Sequence, residues 1–203
     1  MLYISVDTEA SGPVPGLFNL VSIGAISVRE ERGKFALVPG ARFYAELKPA
    51  FPGFLPEAMA IHGIPRERLE KDGIEPPKAM EAFRSWVLEQ ASGAKEQPIF
   101  VGHHAAFDWA YVNYYFVHTG VKNPFDMFPI DLKALALGRF GFPWALCRKS
   151  HFQEVFPDLP APDEKSRHRA DYDAEFQAHI LRVLMNTKPG TEKKPKRSGT
   201  SSS

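Results

Sequence analysis

The segment that most restricts the fold of this 203-residue chain is NLVSIGAISV, residues 19–28, where apolar side chains occupy odd and even positions alike. A strand with this pattern is covered on both faces. The segments 2–7 and 35–47 also have the character of strands, the second with an interruption at Pro39-Gly40. Three consecutive strands joined by short links are typical of an antiparallel meander.

Strands and helices alternate in the rest of the chain. Residues 48–75 are Pro-rich and predicted to be irregular, apart from a short helix at 56–62. A short apolar strand is predicted at 98–102 and a helix at 105–118, followed by a second strand and helix at 128–130 and 132–140. The last helix is predicted at 170–186. This order predicts an α/β fold with a mixed sheet, in which three antiparallel strands precede parallel ones and helices flank the sheet.

The formal net charge of +1 conceals an uneven distribution of charge. The last sixteen residues hold five basic side chains and one acidic side chain, so the other 187 residues carry a net charge of −3. Proteins that grip nucleic acid through a broad basic face look different. We therefore expect one domain at 1–187, whose acidic groups bound metal ions would offset, and a disordered basic Ser/Lys/Pro-rich tail at 188–203.

Cysteine content and hydropathy bear on the cellular compartment. Cys147 is the single cysteine, which excludes an intrachain disulfide and fits a reducing compartment. The first residues lead directly into a predicted strand, so we expect no signal peptide. No apolar run approaches the ~18 residues that cross a bilayer. A cytoplasmic location, away from membranes, is the expectation.

Two carboxylates stand at the end of the first predicted strand. Asp7 and Glu9 are two residues apart, so their side chains project from the same face of that strand. Neighbouring carboxylates repel each other when both are ionised. A divalent cation that prefers oxygen ligands, Mg²⁺ or Mn²⁺, removes that conflict. An isolated Asp-x-Glu is ordinarily a solvated strand end, so the pair needs support from other segments.

Two further carboxylates begin apolar helical stripes. Asp108 heads the stripe formed by Tyr111, Val112, Tyr115 and Phe116. Asp173 heads the stripe formed by Gln177, Ile180, Leu181 and Leu184. The alternative explanation for Asp108 is a first-turn acid favoured by the helix dipole.

His168 is the remaining candidate, five residues before Asp173. The two side chains converge if His168 lies in the loop just before the helix. Asp171 is a rival acid that points elsewhere on the helix. Strand ends and helix starts gather at one edge of an α/β sheet, where ligands commonly bind. The sequence therefore predicts one site that contains four carboxylates and one histidine.

Three segments resemble the motifs of the DnaQ-like, DEDDh exonuclease family. VDTEASG is similar to a first motif of Asp-x-Glu and a Thr/Gly-rich turn, HHAAFDW to a second of His-Asn-x-x-Phe-Asp, and HRADYDA to a third of His-x-x-x-x-Asp-Ala. LVSIGAI and MAIHGI also resemble family segments, and the resemblance covers about residues 2–186. It implies a ribonuclease H-like fold and a 3′→5′ exonuclease that releases nucleoside 5′-monophosphates from single-stranded RNA or DNA.

The resemblance also implies roles for the residues of the site. Two divalent ions, Mg²⁺ or Mn²⁺, would bracket the scissile phosphate. The family's metal ligands fall on Asp7, Glu9, Asp108 and Asp173. Its general base falls on His168, which would accept the proton of the attacking water. The spacing of the third motif selects Asp173 over Asp171.

Contacts to the substrate are expected near the first motif. Leu17 and Phe18 are candidates for wedging against the terminal base, and His62 is a further candidate contact. Phe107 lies inside a helix motif, so we expect it in the core. His104 stands where the family usually has Asn, which leaves the carboxylates intact but bears on how the terminal nucleotide is held.

Other functions remain as alternatives. An exonuclease fold that has lost catalysis would bind nucleic acid without cutting it, and a proofreading subunit would use the same chemistry beside a polymerase. A zinc site at His103 and His104 lacks the usual ligand spacing. A serine or cysteine hydrolase lacks a G-x-S-x-G segment and a partner for Cys147. Short, freestanding relatives are often homodimers, so a homodimer is the expectation for this chain.

Overall fold

A five-stranded mixed sheet forms the centre of the protein in a computed structural model that describes residues 1–91, 96–161 and 168–192. The strand order is β3-β2-β1-β4-β5. The strands are β1 (Leu2–Ala10), β2 (Leu20–Glu31), β3 (Lys34–Glu46), β4 (Ile99–Gly102) and β5 (Ile130–Asp131). The first three pair antiparallel, and β4 and β5 continue the sheet from β1 in parallel. The predicted mixed α/β sheet is confirmed.

Helices cover both faces of this sheet. In the described part of the chain they are α1 (Pro56–His62), α2 (Arg66–Asp72), α3 (Pro76–Gln90), α4 (Ala105–Thr119), α5 (Leu132–Phe140), a 3₁₀ turn (Trp144–Leu146), α6 (Lys149–Val155) and α7 (Ala170–Asn186). None of these helices is long and apolar enough to span a membrane. Most of the predicted tail, from residue 193 onward, lies outside the described residues.

The alternation of side chains along β1 divides the core into two layers. Ile4 and Val6 belong to the apolar cluster that contains Phe83 of α3 and Tyr115 of α4. Tyr3 belongs to the opposite cluster, which α5, α6 and α7 complete. Both faces of β1 and β2 are therefore buried, as the apolar pattern of residues 19–28 predicts.

A close contact between sheet and helix joins β2 to the start of α7. Gly24 pairs with Asp7 across β1 and β2. A Cβ atom on Gly24 would lie 2.1 Å from the backbone carbonyl carbon of Ala170 and 2.1 Å from the backbone nitrogen of Asp171. The Ser5 hydroxyl donates to the Ala174 carbonyl at 2.8 Å. The beginning of α7 thus rests against the same part of β1 that carries the first two acids.

Three details of the structure differ from the sequence predictions. The interruption at Pro39-Gly40 is a register shift inside a continuous β3, because Ile26 pairs with Arg42 while Val28 pairs with Leu37. The Pro-rich segment predicted to be irregular also contains α2, and β5 comes later than the predicted 128–130 strand. Proline at a strand irregularity is expected, because it has no N–H for the ladder.

Candidate active site

All four predicted carboxylates and the predicted histidine line one cavity of about 340 Å³. It lies at the carboxyl ends of β1 and β4, where α4 and α7 begin. Its lining residues are Asp7, Thr8, Glu9, His103, His104, Phe107, Asp108, Lys149, His168, Asp173 and Gln177. The predicted gathering of strand ends and helix starts at one edge of the sheet is confirmed.

Asp108 is fixed to β1 by two hydrogen bonds from one residue. The Thr8 backbone N–H donates to Asp108 Oδ1 at 2.9 Å, and the Thr8 hydroxyl donates to the same oxygen at 2.8 Å. Asp108 lies in the first turn of α4 and is 5% exposed. The alternation of β1 therefore places Asp7 and Glu9 toward α7, while Thr8 between them secures the acid of α4.

His168 lies in the loop just before α7, as the sequence argument requires. Its backbone is left-handed, with φ of 61°, a conformation that is uncommon for residues other than glycine. The backbone N–H of His168 donates to Asp173 Oδ2 at 2.9 Å. One ligand atom from each of Glu9, His168 and Asp173 lies within 4.8 Å of the others.

Asp171 has a different environment from Asp173. It is 3% exposed, and its carboxylate accepts two hydrogen bonds from Arg169 at 2.7 Å and one from Arg42 at 2.9 Å. Burial alone would raise the pKa of Asp171, but these two guanidinium groups lower it below its usual value. Asp171 is thus absent from the cavity lining and takes part in ion pairs between β3 and α7.

Burial raises the pKa values of three carboxylates, and repulsion from neighbouring acids adds to it for two of them. Burial is the largest cause in each. For Asp7, the neighbouring Asp108 and Asp173 add to it, and the pKa rises well above its usual value. The pKa of Glu9 rises to about 8, again with a contribution from Asp173 and Asp108. The pKa of Asp108 rises to about 7, against the opposing effect of the Thr8 hydrogen bonds.

The donor set of the cavity fits divalent cations that prefer oxygen. Carboxylate oxygens with a single imidazole suit Mg²⁺ or Mn²⁺ better than a soft metal. Four acids at close range, three of them with raised pKa values, have a strong electrostatic need for positive charge. Cations bound between them would allow all four to ionise together.

Lys149 and Gln177 line the cavity and were not predicted from the sequence. Lys149, the first residue of α6, contacts Asp173 Oδ1 through its ammonium group. Gln177, which is 2% exposed, donates from Nε2 to Asp7 Oδ1 and accepts the His103 N–H at 2.9 Å through Oε1. Gln177 stands one helical turn after Asp173, so the polar residue in a stripe of apolar ones was the available signal.

A second, mainly apolar groove of about 380 Å³ adjoins the cavity beside Glu9. Its lining residues are Thr8, Glu9, Ala10, Gly12, Pro13, Leu55, Glu57, Ala58, Ile61 and Phe107. Phe107 is 39% exposed and lines both spaces, so its prediction as a core residue is wrong. Its position in the first turn of α4 directs the ring outward, past the buried face that carries Asp108.

Leu17 and Phe18 are not among the residues that line the cavity or the groove. The Leu17 side chain is 64% exposed. The Phe18 ring lies against Gly12, where a Cβ atom would be 2.3 Å from the ring. Contact of Leu17 and Phe18 with a terminal base stays a prediction, whereas Ile61 does line the groove and is 57% exposed.

His62 ends α1, and its Nδ1 accepts the Ile64 N–H at 3.1 Å. Burial lowers the pKa of His62; Glu46 opposes this effect and His168 adds to it. His62 is therefore close enough to influence the candidate base without lining the cavity. Its contact with substrate stays a prediction.

The adjacent histidines of the second motif line the cavity without forming a metal cluster. The His103 and His104 rings lie 4.7 Å apart between centroids. Burial lowers the pKa of His103 to about 4, and His104 contributes in the same direction. Among the described residues, the clustered metal-ligating group is Glu9, His168 and Asp173, so the zinc alternative gains no support.

Sequence comparison places this chain among nucleases. The exonuclease family model matches residues 4–181. The chain is 36% identical to the 3′-5′ DNA exonuclease Cap18 of Escherichia coli over 184 residues, which cover 90% of this chain and 91% of that protein. It is 26% identical to ribonuclease T of Haemophilus influenzae, with 90% of this chain and 79% of that protein covered.

Solved structures agree on the fold. The nuclease domain of 3′hExo, a DEDDh family member bound to rAMP, gives a TM-score of 0.72 at 13% identity, with 96% of both chains covered. Escherichia coli exonuclease I, solved with a dT13 oligonucleotide, gives a TM-score of 0.68 at 17% identity, with 91% of this chain and 41% of that chain covered. The ribonuclease H-like fold is confirmed, and the chain belongs to the DnaQ-like family of DEDDh 3′→5′ exonucleases.

Proposed function

We propose that this exonuclease removes nucleoside 5′-monophosphates from the 3′ end of single-stranded DNA, with two divalent ions, Mg²⁺ or Mn²⁺, as cofactors. The observation that carries the proposal is the cavity in which Asp7, Glu9, Asp108, Asp173 and His168 meet. A cavity walled by acids repels a phosphate strand unless cations are bound within it. The net charge of −3 on the main domain has the same consequence.

The four carboxylates would hold the two ions. The charges of Asp108 and Asp173 both raise the pKa of Asp7, so Asp7 lies near both acids. Asp7 would therefore serve as a ligand of both ions. Glu9 and Asp173 would complete one site, and Asp108 would serve the other. When bound, the ions would lower the pKa of the attacking water and stabilise negative charge on the scissile phosphate.

His168 would accept the proton of the attacking water. Histidine suits this role because its ordinary titration range lies near neutral pH. The backbone N–H of His168 donates a hydrogen bond to Asp173, which keeps the candidate base beside a proposed metal ligand. The water oxygen forms a bond to phosphorus as the bond from phosphorus to the 3′ oxygen breaks. The products are a nucleoside 5′-monophosphate and a strand one nucleotide shorter with a 3′ hydroxyl.

The choice of DNA over RNA is supported by the 36%-identical relative, which is a DNA exonuclease. The apolar groove beside Glu9 would receive the terminal base, with Ile61 and Phe107 as apolar walls. Contact of this kind holds any base, because every base has an apolar face. We therefore expect weak sequence preference and a requirement for an unpaired 3′ end.

The test compares DNA and RNA of one sequence, labelled at the 5′ end, in Mg²⁺, Mn²⁺ and EDTA. We expect a ladder that shortens from the 3′ end, faster on DNA than on RNA, and absent in EDTA. Asp7→Asn should abolish it. Asp126→Asn is the matched control, because Asp126 is an exposed carboxylate outside the cavity whose side chain accepts the neighbouring Met127 N–H.

Failure of every metal to support cleavage would contradict the catalytic proposal. Metal-independent binding of the strand without cleavage would instead support the inactive binding module. Equal or faster cleavage of RNA would contradict the DNA preference alone. A stable complex with a polymerase would support the proofreading alternative, in which the chemistry is unchanged.

We also propose a homodimer, on the resemblance to short, freestanding relatives. Light scattering coupled to size-exclusion chromatography measures the mass in solution. A mass near twice 22.7 kDa would support the dimer, and a mass of one chain would exclude it.

A further inference from the structure

Lys149 is the one lysine or arginine among the described residues that line the carboxylate cavity. Its ammonium group contacts Asp173 Oδ1. The side chain is 34% exposed, while that of Asp173 is 14% exposed. The positive charge of Lys149 also opposes the raised pKa values of Asp7, Glu9 and Asp108. One ammonium group therefore compensates part of the charge of the whole acidic cluster.

Both oxygens of Asp173 are engaged in hydrogen bonds. Lys149 holds Oδ1, and the His168 N–H holds Oδ2. The backbone of His168 is fixed by the start of α7, but the lysine side chain is long and flexible. A cation that binds Asp173 through Oδ1 must therefore share that oxygen with Lys149 or displace it. The lysine and a divalent ion compete for the same carboxylate.

Displacement would leave an ammonium group at the mouth of a cavity whose acids are already neutralised. The substrate phosphates would then be the nearest uncompensated negative charges. Lysine is a common phosphate ligand and binds as a compact, mobile point charge. The main domain is acidic overall, so a cation at this position adds a local attraction for the strand.

We propose that Lys149 is a phosphate-binding residue that is held on Asp173 in the metal-free protein and released to the substrate strand when divalent ions bind. The proposal rests on the proposed function for the identity of the ions and the strand. It assigns opposite effects to one side chain: Lys149 weakens metal binding and strengthens substrate binding.

The test compares wild-type protein with Lys149→Met, which retains the length of the apolar stem and removes the charge. Mn²⁺ affinity is measured by titration calorimetry without nucleic acid. The KM for a 5′-labelled dT oligonucleotide is measured at saturating Mn²⁺. We expect Lys149→Met to bind Mn²⁺ about five- to tenfold more tightly and to show a KM about five- to tenfold higher, as for the loss of one typical hydrogen bond.

Two further variants separate charge from structure. Lys149→Arg keeps the positive charge and should retain most of both wild-type values. Lys133→Met is the matched control, because Lys133 lies near the same histidines but its Nζ lies 4.2 Å from the centre of the Trp144 ring. Both wild-type values should persist in Lys133→Met. Circular dichroism establishes that each variant is folded.

If Lys149 has a purely structural role, Lys149→Met should bind both Mn²⁺ and the oligonucleotide more weakly. That result would overturn the proposal. Unchanged values for folded Lys149→Met would overturn it as well. If the wild-type chain cleaves no strand, the proposed function fails, yet the calorimetry still decides the competition. Tighter Mn²⁺ binding by Lys149→Met would support the competition, and equal binding would exclude it.

Discussion

Asp171 and Asp173 stand two residues apart at the start of α7, and their surroundings give them different functions. Asp173 lines the cavity, so Asp173→Asn should lower exonuclease activity by about 10³-fold or more while the protein stays folded. Asp171→Asn should keep activity at temperatures where the protein is folded. It should lose about 2–3 kcal/mol of unfolding free energy, because it leaves Arg42 and Arg169 without their buried partner.

Urea denaturation and single-turnover cleavage of the two variants measure these effects. The assignment would be wrong if Asp171→Asn lost activity while its midpoint of denaturation was unchanged. It would also be wrong if Asp173→Asn cleaved DNA at the wild-type rate.

Gln177 connects the three segments that carry the acids. It lies one turn after Asp173, accepts an N–H from His103 at the end of β4, and donates to Asp7 on β1. Gln177→Leu keeps the volume and removes both hydrogen bonds. We expect metal affinity or activity to fall about 10- to 100-fold, as for other partners that orient metal ligands.

The control for this prediction is Gln153→Leu, which removes an exposed amide that donates at 3.4 Å to the Pro160 carbonyl. Gln153→Leu should leave Mn²⁺ affinity and cleavage unchanged. If Gln177→Leu bound Mn²⁺ and cleaved DNA as the wild type does, Gln177 would have no part in orienting Asp7.

At the level of single residues, the sequence predicts the acids and misses their partners. Asp7, Glu9, Asp108 and Asp173 are visible because a charge stands where the strand or helix pattern predicts burial. Gln177 occupies the same kind of position, but an amide has many ordinary partners in a core. Lys149 was missed because its approach to Asp173 depends on the path of residues 141–148, which no periodic pattern determines.

At the level of elements, the approach of β2 to α7 positions the third motif against the first. A methyl group on Gly24 would overlap the backbone of Ala170 and Asp171. Gly24→Ala should therefore move the start of α7 away from β1, with a loss of about 1–3 kcal/mol of unfolding free energy. Activity should fall in the folded protein too, because His168 and Asp173 move with the helix.

Gly138→Ala provides the comparison for Gly24→Ala. Apart from its chain neighbours and the backbone of α5, no described residue has an atom within 4 Å of the added methyl group. Gly138→Ala should gain up to about 1 kcal/mol from helix propensity and keep full activity. Thermal melting and cleavage rates measure both variants. If Gly24→Ala and Gly138→Ala had the same thermal stability and cleavage rate, the contact between β2 and α7 would not be needed to position His168 and Asp173.

Elements with strong periodic patterns were predictable, and short or Pro-rich ones were less so. The predicted bounds of the helices at 132–140 and 170–186 are those of α5 and α7. The Asp131 side chain caps α5 and Gly141 ends it, and α7 carries a long buried apolar face. By contrast, α2 has one fully buried side chain, Leu69, so the sequence around it carries little periodicity.

At the level of the whole molecule, stability and metal binding share the same carboxylates. Burial and repulsion by other acids raise the pKa of Glu9 from its ordinary value of 4.5 to about 8. Burial raises the pKa of Asp108 from 3.8 to about 7. The folded, metal-free protein therefore binds more protons than the unfolded chain between those values. The free energy of unfolding must fall as the pH rises through this range.

Bound divalent ions offset the loss of unfolding free energy that accompanies ionisation of these acids. Protons compete with metal for the carboxylates, so metal affinity and the stabilisation that it provides increase as the pH rises. Asp171 acts with the opposite sign, because its lowered pKa stabilises the fold above 3.8 and is lost only below that value. The loss of stability with rising pH should therefore be much larger in the metal-free protein than in the metal-bound protein.

Thermal melting from about pH 5 to about pH 9, with EDTA or with saturating Mg²⁺, measures this linkage. We expect Tm in EDTA to fall across the range and Tm in Mg²⁺ to fall much less, so that the two curves diverge upward in pH. Glu9→Gln removes one of the raised carboxylates and should make the EDTA curve shallower. Parallel curves in EDTA and Mg²⁺ would contradict this prediction. They would mean that ionising the buried carboxylates does not destabilise the fold, and that bound cations are not needed to offset their charge.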